Sequence, residues 1–319
     1  MKVLHITNNF PTSKYPIFGI FVKEQIDSLR KQNVDSDVFF INGREKGKLE
    51  YLKQILILRR KLKNRHLYDV IHCHHALSAI CLILSGKCKE NKTLVSFQND
   101  PENELGKRIY KIINYFKVAS LFKNNTSLEK GNNLSFYLPN GVNLNFFKPI
   151  DRAEARLKLG LKPDKIYILF VSSNFMREQK RYDKFLETLE ILKKKYNYDN
   201  ITELKMINVK RNYIPLYINA VNLHLLTSDF EGSPNSVKEC LACNTPVVST
   251  NVGNINDLLK DLKGSFYSLT NTPEDLARLV DKALKNETNE GLKQIKKLGL
   301  DSTSVALKLI DIYKKIINN

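Results

Sequence analysis

The sequence YDVIHCHHALSAICLILSGKCKENKTLVSF, which spans residues 68–97, predicts a strand, a helix and a second strand in succession. Val70–Cys73 and Thr93–Phe97 are short runs rich in apolar and β-branched residues, as is typical of buried strands. Leu77–Leu84 lies between them and is apolar over a length that favours a helix. Strands that are joined through a helix run parallel, so this stretch predicts a parallel sheet covered by helices.

The same alternation continues on both sides of this stretch. Further predicted strands are Lys2–Thr7, Val38–Ile41, Ile166–Val171, Leu204–Val209, Val221–Leu226 and Pro246–Ser249. Further predicted helices are Gly19–Lys31, Lys48–Lys63, Tyr182–Lys195, Pro215–Ala220, Val237–Ala242 and Pro273–Leu284. The turn signal Pro139-Asn140-Gly141 separates the two series. We therefore predict an α/β protein of two Rossmann-like parallel-sheet domains, residues 1–145 and 146–319, which face an interdomain cleft.

The composition is that of an ordinary globular chain. Of the 319 residues, 42% are hydrophobic and 26% are charged, which excludes extensive disorder. No apolar run reaches the roughly 18 residues of a membrane span, and the start at Met1 reads as a strand rather than a signal peptide. The odd number of cysteines, five, favours a reducing cytoplasm over a disulfide framework. Cys240 and Cys243 have redox or zinc spacing, but no second pair accompanies them, which favours a core role.

The chain is strongly basic, with a formal net charge of +18. Residues 1–150 contain 24 Lys or Arg and 12 Asp or Glu, so most of the excess lies there. Such an excess favours nucleic acid, an anionic membrane or phosphorylated substrates as partners, although AT-rich coding sequence also enriches lysine. Two amphipathic stretches, Lys48–Arg65 and Lys107–Lys123, carry much of it. We expect their apolar faces to pack on their own sheet and their basic faces to contact an anionic membrane surface.

The segment Thr227–Ala242, TSDFEGSPNSVKECLA, is the most informative for chemistry. Ser233 is a good N-cap and a proline suits the first helical position, so the next backbone amides would face a free helix N-terminus. Such a terminus attracts phosphate. Glu231 precedes it and Glu239 lies in the second turn, so two carboxylates flank one anion site. Polyol hydroxyls, of a ribose and of a sugar, are their natural partners; the alternative is that both are solvated charges.

This segment resembles the Glu-(seven residues)-Glu signature of retaining glycosyltransferase family 4, whose fold is GT-B. Other segments are similar to motifs of that family and follow the same order: Asn8-Asn9-Phe10-Pro11, Gly19–Gln25, Tyr68–His74, Pro139–Asn143 and Pro246–Gly253. The resemblance covers nearly the whole chain. It implies an acceptor-side domain at residues 1–145 and a nucleotide-sugar donor domain at residues 146–319.

The resemblance also implies a catalytic set in the second domain. In the family, an arginine and, six residues further on, a lysine grip the donor diphosphate. Lys180 matches the lysine, whereas Asn174 stands at the arginine position. Either Arg177 or Arg181 compensates for this departure, or the loop is organised differently. Lys180, Arg177 and Glu231 are therefore the predicted catalytic residues.

The predicted donor-binding residues offer an amide, a hydroxyl, a cation or a carboxylate at the ends of predicted strands. They are Gly19, Gln98, Asn174, Arg181, Gly232, Ser233, Asn235, Ser236 and Glu239. Gln98 stands where the family has a histidine near the donor sugar, and Gly19 would let the backbone approach the diphosphate. The residues His72, His74 and His75 are predicted to cluster on the acceptor side. Their composition is metal-like, but no metal is predicted because no nearby acid completes a site.

The cysteine content and the basic first half predict a cytoplasmic protein that is peripheral on the inner face of the cell membrane, and the resemblance implies an enzyme. It would move a sugar from a UDP- or GDP-linked donor to a glycan or lipid-linked acceptor in bacterial cell-surface polysaccharide assembly, with no cofactor besides that substrate. A GT-B-shaped sugar-nucleotide epimerase is the alternative enzyme. A nucleic-acid-binding protein or a dinucleotide-dependent oxidoreductase is disfavoured, because the chain lacks their motifs. The segment between Ile201 and Ile214 is shortened relative to the family, so the donor base stays open.

Overall fold

The computed structural model describes residues 1–63, 67–89, 92–131, 134–172, 177–286 and 289–319. These residues form two compact units. The first comprises Met1–Gly141 together with Ser302–Asn319, and the second comprises Val142–Asp301. Each unit contains one sheet in which all the strand pairings are parallel. The predicted fold class, α/β with two Rossmann-like parallel sheets, is confirmed.

The strands and helices alternate along most of the chain. The strands are β1 (Lys2–Thr7), β2 (Asp35–Phe40), β3 (Val70–Cys73), β4 (Thr93–Ser96), β5 (Ala119–Phe122), β6 (Ser135–Tyr137), β7 (Ile166–Val171), β8 (Ile201–Met206), β9 (Leu223–Leu226), β10 (Val247–Thr250) and β11 (Phe266–Ser268). The helices are α1 (Ile20–Lys31), α2 (Gly43–Lys46), α3 (Leu49–Lys61), α4 (Ala76–Leu84), α5 (Pro101–Leu105), α6 (Lys107–Tyr115), α7 (Arg152–Leu159), α8 (Tyr182–Tyr196), α9 (Ile214–Ala220), α10 (Asn235–Ala242), α11 (Ile255–Leu259), α12 (Pro273–Leu284), α13 (Gly291–Leu298) and α14 (Ser302–Asn318).

The sheet of the first unit has the strand order β2-β1-β3-β4-β5-β6. Its central strands are buried on both sides, since all four residues of β3, β4 and β5 are inaccessible. This burial explains why these strands read as continuous apolar runs rather than as alternating patterns. The sheet of the second unit has the order β11-β10-β9-β7-β8. In each sheet the chain first adds a strand on one side and then continues on the other side, so the order reverses between β1 and β3 and between β7 and β9. Ligands of open α/β sheets bind at such reversals.

The C-terminal helix α14 lies in the first unit, whereas the sequence assigned all of residues 146–319 to the second domain. It packs against α1 and β3, and its residues Val305, Leu309 and Tyr313 are buried. The Tyr313 hydroxyl is 2.7 Å from Nδ1 of His72 on β3. An amphipathic pattern shows that a helix has a buried face but does not show which sheet covers it, so the sequence could not assign α14.

The two basic stretches of the first unit differ from expectation. Lys107–Lys123 is not one amphipathic element, because α6 ends at Tyr115 and Ala119–Phe122 forms the buried strand β5. In Lys48–Arg65, whose last two residues lie outside the described part, α3 buries only Glu50 and Leu58 completely. Leu58 and Leu62 are buried in the core cluster of the first unit, as predicted, whereas Leu49, Leu52 and Leu56 are exposed, so only part of the predicted apolar set packs inward. No helix among the described residues is long and apolar enough to cross a membrane.

Most other element boundaries agree with the sequence to within two residues. The exception in the second unit is β8, which spans Ile201–Met206 rather than Leu204–Val209. It pairs with β7 over its whole length, from Ile166↔Ile201 to Val171↔Met206. The residues Thr202, Glu203 and Lys205 give β8 a polar pattern at the edge of the sheet, which hides the strand in the sequence.

Candidate donor site at the carboxyl ends of the second sheet

Three loops of the second unit meet where the strands β7, β9 and β10 end. The amide of Asp229, in the loop after β9, donates to the carbonyl of Gln179 in the loop after β7 (2.9 Å). The hydroxyl of Thr227 donates to the carbonyl of Lys180 (2.8 Å). The hydroxyl of Thr250, at the end of β10, donates to the carbonyl of Ser228 (2.7 Å). These bonds fix the three loops against one another, so side chains far apart in the sequence share one site.

Lys180 and Glu231 form an ion pair in this site, across 51 residues of sequence. The Lys180 ammonium donates to Oε1 of Glu231 (2.5 Å), and the hydroxyl of Ser228 donates to the same oxygen (2.9 Å). The Lys180 and Glu231 side chains are only 14% and 13% exposed. The structure thus places a cation and a carboxylate, both predicted to be catalytic, in direct contact in a mostly buried position.

The helix α10 begins near this pair, one residue after Pro234, the proline that was predicted at the first helical position. It starts at Asn235, and Pro234 is its N-cap, so Ser233 is not the capping residue. Instead, the Ser233 hydroxyl accepts a hydrogen bond from the buried Lys238 ammonium (2.9 Å). The reason is that Pro234 has an extended backbone (ψ 116°), which excludes it from the first helical turn. The amides of the first turn, from Asn235 onward, have no partner within the helix, as at any helix N-terminus.

Glu239 is paired with a residue that the sequence did not single out. Its Oε1 accepts from a guanidinium N–H of Arg211 (3.1 Å), and the two side chains are 15% and 20% exposed. Arg211 follows β8 and also lies over the rings of Phe146 and Phe147, 5.2 and 4.9 Å from their centroids. The shortened segment after β8 had no motif, so no sequence signal could have linked Arg211 to Glu239.

The two other candidate cations occupy different environments. The Arg181 guanidinium donates to Asp183 and to Asp229, and its hydrogen bond to the Asp183 carboxylate is the main reason that the pKa of Arg181 is raised. It is therefore committed to two carboxylates. Arg177 is exposed and lines a surface cavity of about 710 Å³ together with Asp183 and Phe230. Asn174 lies outside the described residues.

His224 is a second residue that the sequence did not single out. It lies on β9, fully buried, with Nδ1 3.0 Å from the carbonyl of Leu169 and Nε2 3.1 Å from the hydroxyl of Ser236. Since a carbonyl only accepts, Nδ1 carries the proton and Nε2 accepts from Ser236. Burial lowers the pKa of His224 to about 4. The neutral ring therefore holds the Ser236 hydroxyl at the start of α10.

Gly253 touches the loop that carries Glu231. Its φ is +58°, and a Cβ placed on it would collide with the carbonyls of Gly232 and Glu231. The amide of the next residue, Asn254, donates to the Gly232 carbonyl (3.1 Å). The absence of a side chain at Gly253 is thus what allows the loops after β9 and β10 to meet.

We expect Gly253→Ala to lower the free energy of unfolding by about 2–3 kcal/mol, because it adds a backbone collision to a left-handed φ. Gly160→Ala is the matched control: Gly160 has φ +64° and open space around its Cβ position. It should cost only the conformational penalty, about 1 kcal/mol. Urea denaturation of both variants measures the difference, and equal losses would show that the loop contact is unimportant.

In the first unit, the predicted residues Gly19 and Gln98 contact neighbouring loops. Gly19 has φ +69° and lies against the backbone of Asn9, where a Cβ would collide. The Gln98 side chain donates to the carbonyl of His74 (3.3 Å) and accepts from the amide group of Asn140 (3.2 Å). These contacts fix the loops after β1 and β4 at the carboxyl edge of the first sheet.

The predicted histidine cluster has a different membership. His5, His72 and His74 lie together with ligand atoms within 4.8 Å of one another, whereas His75 caps α4. All three are buried, so they do not form an accessible acceptor surface. Nδ1 of His5 is 2.8 Å from Nε2 of His74, and Nε2 of His72 is 2.7 Å from the hydroxyl of Ser96. Their ring nitrogens thus form a hydrogen-bonded network, in which burial keeps the rings neutral by lowering the pKa of each.

The five cysteines are free and buried. Burial raises the pKa of the Cys240 thiol well above its ordinary value and that of Cys243 to about 12. Thiolates are the forms that bind zinc or exchange disulfides, so both thiols are in their unreactive state. Cys240 on α10 and Cys243 at its C-terminal cap act here as small apolar residues.

The fold is shared with known glycosyltransferase structures of the GT-B class. Sucrose-phosphate synthase from Thermosynechococcus elongatus has a TM-score of 0.75 at 14% identity, with full coverage of both chains. HepE from Anabaena, solved with UDP and glucose, has a TM-score of 0.69 at 12% identity and 98% coverage of both chains. The lipopolysaccharide outer core galactosyltransferase WaaB has a TM-score of 0.69 at 14% identity and 99% coverage of both chains.

The sequence itself also matches a family. Residues 196–299 match the family model of the glycosyl transferases group 1. This segment contains Arg211, His224, Glu231, Glu239 and Gly253, and it ends before α14. No curated protein matches the chain.

Proposed function

We propose that this protein is a retaining glycosyltransferase of family 4, which transfers a sugar from a nucleotide-diphosphate sugar to an acceptor hydroxyl. The observation that carries the proposal is the contact between Lys180 and Glu231 at the start of α10. An ammonium, a carboxylate and a helix N-terminus together suit a ligand that combines an anionic diphosphate with sugar hydroxyls. The family match over residues 196–299 includes most of this site.

Each group has a role that follows from its chemistry. Lys180 neutralises the charge that develops on the leaving diphosphate, and Arg177, exposed at the same loop, adds a second cation. Glu231 and the backbone from Gly232 to Ser236 hold the donor sugar and phosphate. Glu239 accepts hydrogen bonds from the ribose hydroxyls, with its carboxylate oriented by Arg211.

The reaction breaks the bond between the sugar anomeric carbon and the phosphate oxygen. The acceptor hydroxyl attacks on the face that the phosphate leaves, and the departing phosphate oxygen takes the hydroxyl proton. This route retains the anomeric configuration and needs no general base from the protein. In the free state Glu231 accepts the Lys180 hydrogen bond, so donor binding exchanges a carboxylate partner for a phosphate one.

The donor is a UDP- or GDP-linked sugar, and the setting is the assembly of a cell-surface polysaccharide on a glycan or lipid-linked acceptor at the cytoplasmic face. The Anabaena HepE structure, which contains UDP and glucose, supports a uridine nucleotide as the first to test. Gln98 at the carboxyl edge of the first sheet is the proposed acceptor-side contact with the donor sugar.

We test the donor site by thermal and urea unfolding with UDP-, GDP-, ADP- and CMP-sugars. A donor at about 100 times its dissociation constant stabilises the wild type by about 2.7 kcal/mol. Glu239→Ala should weaken binding about tenfold, so the same concentration adds only about 1.4 kcal/mol. Glu187→Ala, an exposed glutamate on α8, is the matched control and should behave as wild type.

Two outcomes separate the competing functions. Stabilisation by no nucleotide sugar, or equal stabilisation of the Glu239→Ala variant, would contradict the proposed donor site. Release of free sugar in the absence of any acceptor would instead favour a sugar-nucleotide epimerase. The anomeric configuration of the product, read by NMR, decides the retaining mechanism, because an inverted product is incompatible with attack on the vacated face.

A further inference from the structure

The helix α3 carries apolar residues on its outer side as well as on the side that packs in the core. Leu49, Leu52 and Leu56 are 78%, 63% and 60% exposed. On the opposite side, Leu58 is buried and Ile55 packs against the core cluster of the first unit. A helix that only covers a sheet turns its leucines inward and its carboxylates outward. The exposed leucines of α3 therefore have no role in the core of the first unit.

Cations accompany the exposed leucines. Lys53, Arg59 and Arg60 are exposed, and at helical spacing they fall on the same side of α3 as Leu49 and Leu56. The only acidic residue of the sequence between positions 48 and 63 is Glu50, whose carboxylate is buried and paired within the unit. The outer side of α3 is thus apolar and positively charged, without an exposed acid.

The neighbouring helices extend this surface. α3 packs on α4 and α4 packs on α6, and all three contribute to one core cluster, so their outer sides face away from the same side of the sheet. Leu84 at the end of α4 is 64% exposed, and Tyr115 at the end of α6 is 74% exposed. Arg108 and Lys111 on α6 are exposed cations. We call the outer sides of α3, α4 and α6 the basic apolar face.

We infer that the basic apolar face docks the protein peripherally on an anionic phospholipid bilayer, with the three leucines of α3 inserted at the boundary between headgroups and acyl chains. Interfacial helices of this kind combine inserted leucines with lysines and arginines that contact anionic headgroups. Charge complementarity favours a lipid surface over a second copy of the chain, because two copies would bring the same cations together. The inference concerns the first unit and does not depend on the donor site.

Vesicle cosedimentation tests the face. The wild type should bind vesicles of phosphatidylcholine mixed with phosphatidylglycerol and bind vesicles of phosphatidylcholine alone at least tenfold more weakly. The variant Leu49→Ser/Leu52→Ser/Leu56→Ser should bind the mixed vesicles at least tenfold more weakly than the wild type, because it keeps the charge and loses the inserted side chains. The matched control is Leu157→Ser/Leu269→Ser/Leu307→Ser, which replaces three exposed leucines that lie outside the basic apolar face. It should bind vesicles as the wild type does.

A second variant separates attraction from insertion. Lys53→Gln/Arg59→Gln/Arg60→Gln should lose the preference for phosphatidylglycerol, since these cations supply it. Unchanged binding of the α3 leucine variant, or equal losses in the control, would overturn the proposal. So would a wild type that binds no vesicle but forms a dimer, by analytical ultracentrifugation, that the leucine variant lacks. Donor-induced stabilisation of the leucine variant should equal that of the wild type, so failure here leaves the donor site untouched.

Discussion

Replacing Lys180 by alanine is expected to lower the turnover of the nucleotide-sugar donor by about 10²–10³-fold. The Lys180 ammonium is 14% exposed and lies 2.5 Å from Glu231, so it is already oriented and largely desolvated before the reaction. A cation in that state stabilises developing phosphate charge without reorganisation, which is why its loss affects the turnover number. Single-turnover and steady-state rates with saturating donor measure the effect, and the donor Michaelis constant should change less than the rate.

The Lys180→Ala variant also leaves the Glu231 carboxylate without its ion partner, so a loss of folding must be separated from a loss of chemistry. The double variant Lys180→Ala/Glu231→Gln removes both charges and should recover stability in urea while staying inactive. Lys193→Ala, at an exposed lysine on α8, is the matched control and should keep wild-type turnover. A Lys180→Ala variant with unchanged turnover would remove Lys180 from the mechanism.

Mild acid is expected to destabilise the folded protein by about 4 kcal/mol between pH 7 and pH 5. Burial lowers the pKa of His5 to about 3 and of His224 to about 4, whereas an unfolded histidine titrates near 6.5. Below about pH 6.5 the unfolded chain therefore binds more protons than the folded chain does. The contribution of the histidines to stability is complete above about pH 6.5 and falls as the pH is lowered. Each of these two histidines contributes about 2 kcal/mol at pH 5, and His72 and His74 act in the same direction.

Urea unfolding at pH 7, 6 and 5 measures this slope. The buried Lys123 acts mainly above this pH range, because desolvation lowers its pKa to about 7. Its effect is that the free energy of unfolding rises with pH above pH 7. His224→Asn should reduce the slope by about one proton. A free energy of unfolding that is flat between pH 7 and pH 5 would contradict neutral buried histidines.

The residues near position 70 show why the sheet was predictable. In Val70–Cys73 every residue is buried, and in Ile166–Val171 the four central residues are buried. Because a central parallel strand is covered on both faces, it forms a largely apolar run that the sequence shows directly. The edge strand β8 was misplaced because one side of it meets no further strand among the described residues, and its polar residues are tolerated there. Local sequence patterns therefore locate strands well where the strand is fully buried and less well at the edge of a sheet.

The candidate site also combines residues that the sequence predicted with contacts that it did not predict. Glu231, Glu239 and Lys180 were found from spacing and resemblance, because loops at strand ends follow the order of the strands. The contacts between them were not predicted: Arg211 lies 28 residues from Glu239, and Lys180 lies 51 residues from Glu231, whose Oε1 also accepts from the Ser228 hydroxyl. Ser233 was assigned as a cap on its residue type, but Lys238 engages its hydroxyl instead.

The amino-acid sequence by itself determined the alternation of strands and helices, the parallel sheets and the segments that carry the chemistry, since each depends on neighbours a few residues away. Only the tertiary structure decided that α14 belongs to the first unit, that His5 rather than His75 joins the histidine network, and that the leucines of α3 face solvent. The physical reason is that these are contacts between elements, and a periodic pattern fixes that a side is buried or exposed but not what lies against it.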